Sequence, residues 1–117
     1  MASATPEAVQ IVDLETGKVQ VRGALTFATA KSARAAGRRV IEISGDSELE
    51  MDCSGVTASD SAGLAVLLDW LALAKRHGRS LRFKELPAPI RAVARLSNVE
   101  ELLNQGLTLR PAARPSE

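Results

Sequence analysis

The chain is poor in several things, and each shortage excludes a class of function. It has one cysteine, Cys53, so it holds no internal disulfide, which fits a reducing compartment. It has one histidine, His77, and no cluster of Cys, His and carboxylates at metal-ligand spacing. Charge of neither sign dominates: 15 basic residues face 14 acidic ones, which gives no electrostatic reason to expect nucleic acid or an anionic membrane as partner. The longest apolar run, Leu64 to Ala74, is interrupted by Asp69 and covers about half of the ~20 residues a membrane crossing needs. Met1 to Gln10 has neither a basic start nor an apolar core, unlike a secretory signal. The chain reads as cytoplasmic. Aromatics make up only 3%, so the core must be built from Leu, Val, Ile and Ala.

What is present is the pattern of one α/β domain, expected over residues 8–109, with 1–7 and 110–117 as flexible ends. Val9, Ile11 and Val12 mark a first strand, and Glu15-Thr16-Gly17-Lys18 is a turn signal. Val19 and Val21 alternate with Gln20 and Arg22 as a second, half-buried strand. Thr26 is placed to cap a helix from Phe27. Its inner stripe would be Phe27, Ala30, Ala33, Gly37, Val40 and Ile41, weakened at Gly37 by about 1 kcal/mol relative to Ala. Leu49, Met51 and Cys53 alternate with Glu48, Glu50 and Asp52, a strand with one buried and one acidic face. A helix from Ser61 to His77 follows, closed by Gly78. Leu81 and Phe83 form a fourth strand. Pro87 and Pro89 open a further helix with Ile90, Val93, Ala94 and Leu96 inward, ended by Asn98. Val99, Leu102 and Leu103 make a helical turn, and Leu107 and Leu109 a last extended piece.

Right-handed crossovers between strands added in sequence order place all helices on one face of a four-stranded, mostly parallel mixed sheet. The other face then carries Gln20, Arg22, Glu48, Glu50, Asp52, Arg82 and Lys84, an acidic strand between strands with basic residues.

Chemistry concentrates where the third strand ends. After Asp52-Cys53-Ser54-Gly55-Val56-Thr57 a polar loop leads to a helix start at Asp60 or Ser61, with small residues at Ala62, Gly63 and Ala65. Such a start would offer bare backbone amides and the Ser61 hydroxyl to a visitor, with Asp60 as cap. A triad-type hydrolase does not fit. His77 lies sixteen residues along the same helix, about 24 Å from Ser61. No Gly-rich phosphate loop is present. The helix carries two apolar stripes: Leu64, Leu67, Leu68 and Leu71, and then Val66, Trp70 and Leu73. The second is either buried against flanking helices or an exposed contact patch anchored by the only tryptophan.

The strand ending and the run Asp60-Ser61-Ala62-Gly63-Leu64-Ala65-Val66-Leu67-Leu68 resemble the STAS domain family, over about residues 8–105. Leu71-Ala72-Leu73-Ala74-Lys75-Arg76-His77-Gly78 and Ala94-Arg95-Leu96-Ser97-Asn98-Val99 are similar to the branch of small cytoplasmic STAS subunits of Mla-type phospholipid ABC transporters. Ala62 departs from a glycine common in that branch. The resemblance implies a STAS fold and a non-enzymatic role without cofactor or metal. The partner would be the transporter's MlaF-like ATPase, in a complex with permease and substrate-binding subunits, peripheral to the inner membrane. The chain itself would touch neither nucleic acid nor lipid. Ser61 would sit at the contact, with Asp60, Ala62, Ala65, Val66, Asp69 and Trp70 around it. The family's other branch, the anti-sigma-factor antagonists, carries the same Asp-Ser-x-Gly and would make Ser61 the phosphorylation site of a partner kinase.

Overall fold

Alternation decides the sheet. Val19 and Val21, then Leu49, Met51 and Cys53, then Leu81 and Phe83 are buried. Their neighbours Gln20, Arg22, Glu50, Asp52, Arg82 and Lys84 stay accessible to solvent. The structure, a computed structural model, describes residues 8–105. The strands are β1 (Gln10–Glu15), β2 (Lys18–Leu25), β3 (Glu48–Ser59) and β4 (Ser80–Lys84). The helices are α1 (Ala30–Ile43), α2 (Ser61–Arg76), α3 (Ala88–Leu96) and α4 (Glu100–Gln105). The sheet order is β1-β2-β3-β4, antiparallel at the β1–β2 hairpin and parallel across the other two pairs. The flexible ends expected at 1–7 and 110–117, and the extended piece at Leu107 and Leu109, lie outside the described residues.

The hairpin turns at Gly17 and α2 stops before Gly78. Both glycines have φ above +70°, a conformation that costs a side-chain-bearing residue free energy. Asn98, at φ 60°, ends α3 as expected. The C-terminus of α1 is held from across the fold. Arg79 donates to the Ile41 carbonyl at 2.5 Å and to that of Ser44, placing a cation where the helix dipole is negative.

On the open face Glu50 bridges Arg82 at 3.3 Å and Lys84 at 3.4 Å. Burial pushes the Glu50 pKa up, but hydrogen bonds from Arg82 and Lys84 and the charges of Lys84 and Lys18 outweigh it and hold the carboxyl below its ordinary value. Cys53 faces the core, where burial, with Asp52 beside it, pushes its thiol up to about 12. The folded protein is therefore expected to react with a thiol reagent at neutral pH only after denaturant is added. Fast labelling of the native state would mean that the sheet opens.

Three expectations need correcting. β3 runs on to Ser59, because Gly23, Ala24 and Leu25 of β2 pair with Val56, Ala58 and Ser59; the polar stretch is strand, not loop. The first helix begins at Ala30, and residues 26–29 form a turn instead. The Thr29 hydroxyl locks that turn by donating to Ala24 O at 2.5 Å while accepting from Thr26 N at 3.1 Å. Phe27 is thereby taken off the inner stripe and left 84% exposed. Leu96, expected inward, is 86% exposed in the last turn of α3.

Candidate functional site

β2 and β3 are parallel neighbours paired at Leu25 and Ser59, so the segments that follow them leave the sheet side by side. Asp60 ties them together. Its backbone N–H donates to Leu25 O at 3.2 Å. Carboxylate oxygen Oδ1 accepts from Ala62 N at 2.8 Å and Gly63 N at 3.3 Å, which caps α2, and Oδ2 accepts from Phe27 N at 3.1 Å. A carboxylate on helix-start amides forms strong, charge-assisted hydrogen bonds. The idea of bare amides awaiting a visitor is thereby overturned: the protein's own Asp60 takes two of them.

The small residues have another reason as well. A methyl group at Gly63 would overlap the Leu25 carbonyl oxygen and lie 3.2 Å from Ile90 Cδ1. Gly63 is a contact between α2 and the C-terminal end of β2. What remains open at the apex is the exposed Ser61 side chain, with Ala62 half-buried beside it. Among the described residues no group of three His, Cys, Asp or Glu side chains stands where it could hold a metal. Nor, among the described residues, is any helix long and apolar enough to cross a membrane.

The residues named from sequence divide in two. Ser61, Ala65 and Asp69 lie on one exposed ridge of α2, which Ala72 and Arg76 continue at helical spacing. Val66 and Trp70 do not belong to it. They are buried, as is Leu73, so the exposed-patch alternative for the second stripe fails. The cause is α1, which packs over α2 and brings Gly37 against the indole; a methyl group at Gly37 would overlap that ring. Trp70 Nε1 lies 3.4 Å from the Arg34 carbonyl.

Sequence reasoning missed two features. Phe27 stands at the apex next to Ser61 through the shared Asp60, and the second threonine, Thr29, was the signal that the helix starts later. Lys31, Arg34 and Arg38 of α1 border α2, and Arg34 pairs with Asp69 at 2.7 Å. The apex thus presents one aromatic ring and one hydroxyl on a frame of small residues, and the cations of α1 lie further along the helix pair. This suits a protein contact, where a large ring anchors and polar groups set register.

The comparisons agree with the geometry. The family described as "Mlab, STAS domain" matches residues 10–105. No curated protein sequence matches the chain. Among solved structures, the anti-sigma factor antagonist SpoIIAA in its unphosphorylated form superposes with a TM-score of 0.57 at 16% identity, over 75% of this chain and 82% of that one. At that identity the likeness is one of fold. STAS domains are an interaction fold, and with the match running from β1 to the end of α4, the chain belongs to the STAS domain family, in its MlaB group.

Proposed function

We propose that the chain is the non-enzymatic STAS subunit of an Mla-type ABC transporter. It binds and stabilises or regulates the MlaF-like ATPase of a complex that moves phospholipids between the inner and outer membranes. It acts from the cytoplasm, peripheral to the inner membrane through that complex, and the lipid stays outside its reach. The observation that carries the reading is the apex. Ser61 is exposed and Asp60, its neighbour, is engaged in holding two backbone segments, which supports a surface met by a partner over a reacting centre. The match to the family described as Mlab over residues 10–105 supports this reading over the phosphorylation switch, whose antagonists carry the same Asp-Ser pair.

The test is purification of the tagged chain from its own cells. An ABC ATPase with its permease is the expected companion. A small kinase-like ATPase together with a phosphorylated Ser61 would overturn the reading in favour of an anti-sigma-factor antagonist. In the same assay Ser61→Ala and Phe27→Ala should each leave the melting temperature within a few degrees of wild type, because neither side chain is in the core. Phe27→Ala should weaken ATPase binding by about 2 kcal/mol, as loss of an aromatic anchor does, and Ser61→Ala by about 1 kcal/mol. Unchanged affinity in both would remove the apex from the contact.

A further inference from the structure

We propose that the groove between α1 and α2 receives an acidic segment of the partner protein, so that the contact runs from the Ser61 apex sideways onto α1. The inference rests on the proposed apex contact for where the partner begins, and on the groove's own chemistry for what the partner carries. The groove encloses about 290 Å³. Lys31, Arg34, Arg38 and Arg76 line it, and its one carboxylate is Asp69.

Asp69 engages Arg34 at 2.7 Å, and Glu42 engages Arg38 from outside the groove at 3.4 Å. Among the described residues Lys31 and Arg76 have no carboxylate within 4.0 Å. Four cations are thus gathered on one face of a molecule whose net charge is +1, and two of them await a counter-charge. Arg34 and Asp69 already form the kind of pair the groove would make with a visitor. Guanidinium groups favour carboxylates in this geometry.

The shape favours a protein segment over an anionic membrane. The cations are confined to the walls of a cleft that also has Trp70 and Leu73 in its lining, a mix of charge and apolar surface that suits the side chains of a protein segment. Asp69 and Arg76 of the groove stand further along the same exposed α2 ridge as Ser61 and Ala65, so a partner that lies along that ridge from the apex reaches the groove. Charge placed beside an aromatic anchor sets partner choice and association rate more than raw affinity.

The experiment places the photo-cross-linker p-benzoylphenylalanine at Ala35, an exposed groove residue, in the full chain in its own cells, and sequences the peptide it captures. The expected adduct is a protein segment rich in Asp and Glu. Its yield should fall roughly tenfold or more when Lys31→Glu and Arg76→Glu are combined, with the melting temperature unchanged. An adduct to lipid, a segment with no acidic excess, a yield indifferent to the charge reversal, or no adduct from Ala35 would each overturn the groove. The identity of the captured protein separately judges the transporter reading: an acidic segment of some other protein would sink that reading and leave the groove standing.

Discussion

Trp70→Ala is expected to cost about 3–5 kcal/mol of folding free energy, the range for truncating a fully buried aromatic side chain. The ring is 1% exposed and sits where α1 packs against α2. Domains of this size are stable by only about 5–15 kcal/mol, so the loss should lower the melting temperature by roughly 10–20 °C. The neighbouring position makes the argument sharper. Alone, Gly37→Ala improves helix propensity by about 1 kcal/mol, yet it must destabilise the protein by about 1–3 kcal/mol, because the new methyl group meets the indole. Combined with Trp70→Ala, the same methyl group enters space the ring has vacated, so there it should stabilise. The sign of the Gly37→Ala effect should therefore reverse between the two backgrounds, which urea unfolding of the four proteins would read directly. Additive effects would mean that the two helices do not meet at this point.

That pair also explains why Trp70 was ambiguous in the sequence. Spacing along α2 defines two apolar stripes but says nothing of how many layers cover them. The answer lay in another element: a glycine in the middle of α1, which helix propensity treats only as a weakness, is the space the ring occupies. The sheet was far more legible. Each strand carries its own alternation, and the register of Met51 against Val19 and Phe83 follows from burying one face of all three strands. The helix of residues 61–76 was legible at both ends, from its Asp60 cap and from Gly78.

Boundaries set by side-chain-to-backbone bonds were hidden. Phe27 fits a helical spacing with Ala30 and Ala33, and only the Thr29 hydroxyl, closing the turn back on Ala24, ends the strand connection before the helix begins. The site was half legible for the same reason. Its motif locates Ser61 and Asp60, but one partner of the Asp60 carboxylate, Phe27 N, comes from 33 residues earlier. The aromatic ring that this bond holds at the apex was invisible until the two segments were side by side. The proposed contact surface is therefore drawn without the buried Val66 and Trp70 and with the exposed Phe27 and the cations of α1.

Gly63→Ala should be the most informative single change at the apex, because it separates presentation from contact. Gly63 lies buried in the first turn of α2, with no side chain to offer a partner. Its added methyl group would meet the Leu25 carbonyl oxygen, a backbone atom that already accepts from Asp60 N and cannot swing aside as a flexible side chain would. The start of α2 must then lift from β2. That movement stretches the Asp60 N bond to Leu25 and the Phe27 N bond to Asp60 together, since both depend on where Asp60 stands. A net loss of about 1–3 kcal/mol is expected, even after the gain in helix propensity. Binding to the proposed ATPase partner should fall along with stability, because Ser61 and Phe27 lose their common support. Ser61→Ala and Phe27→Ala, by contrast, should lower binding alone. Backbone amide shifts at Phe27 would check the route: they should move in Gly63→Ala, although the two residues are not in contact in the chain's sequence. A Gly63→Ala protein as stable as wild type and equally able to bind would show that α2 does not approach β2 this closely, and the account of the apex would fall with it.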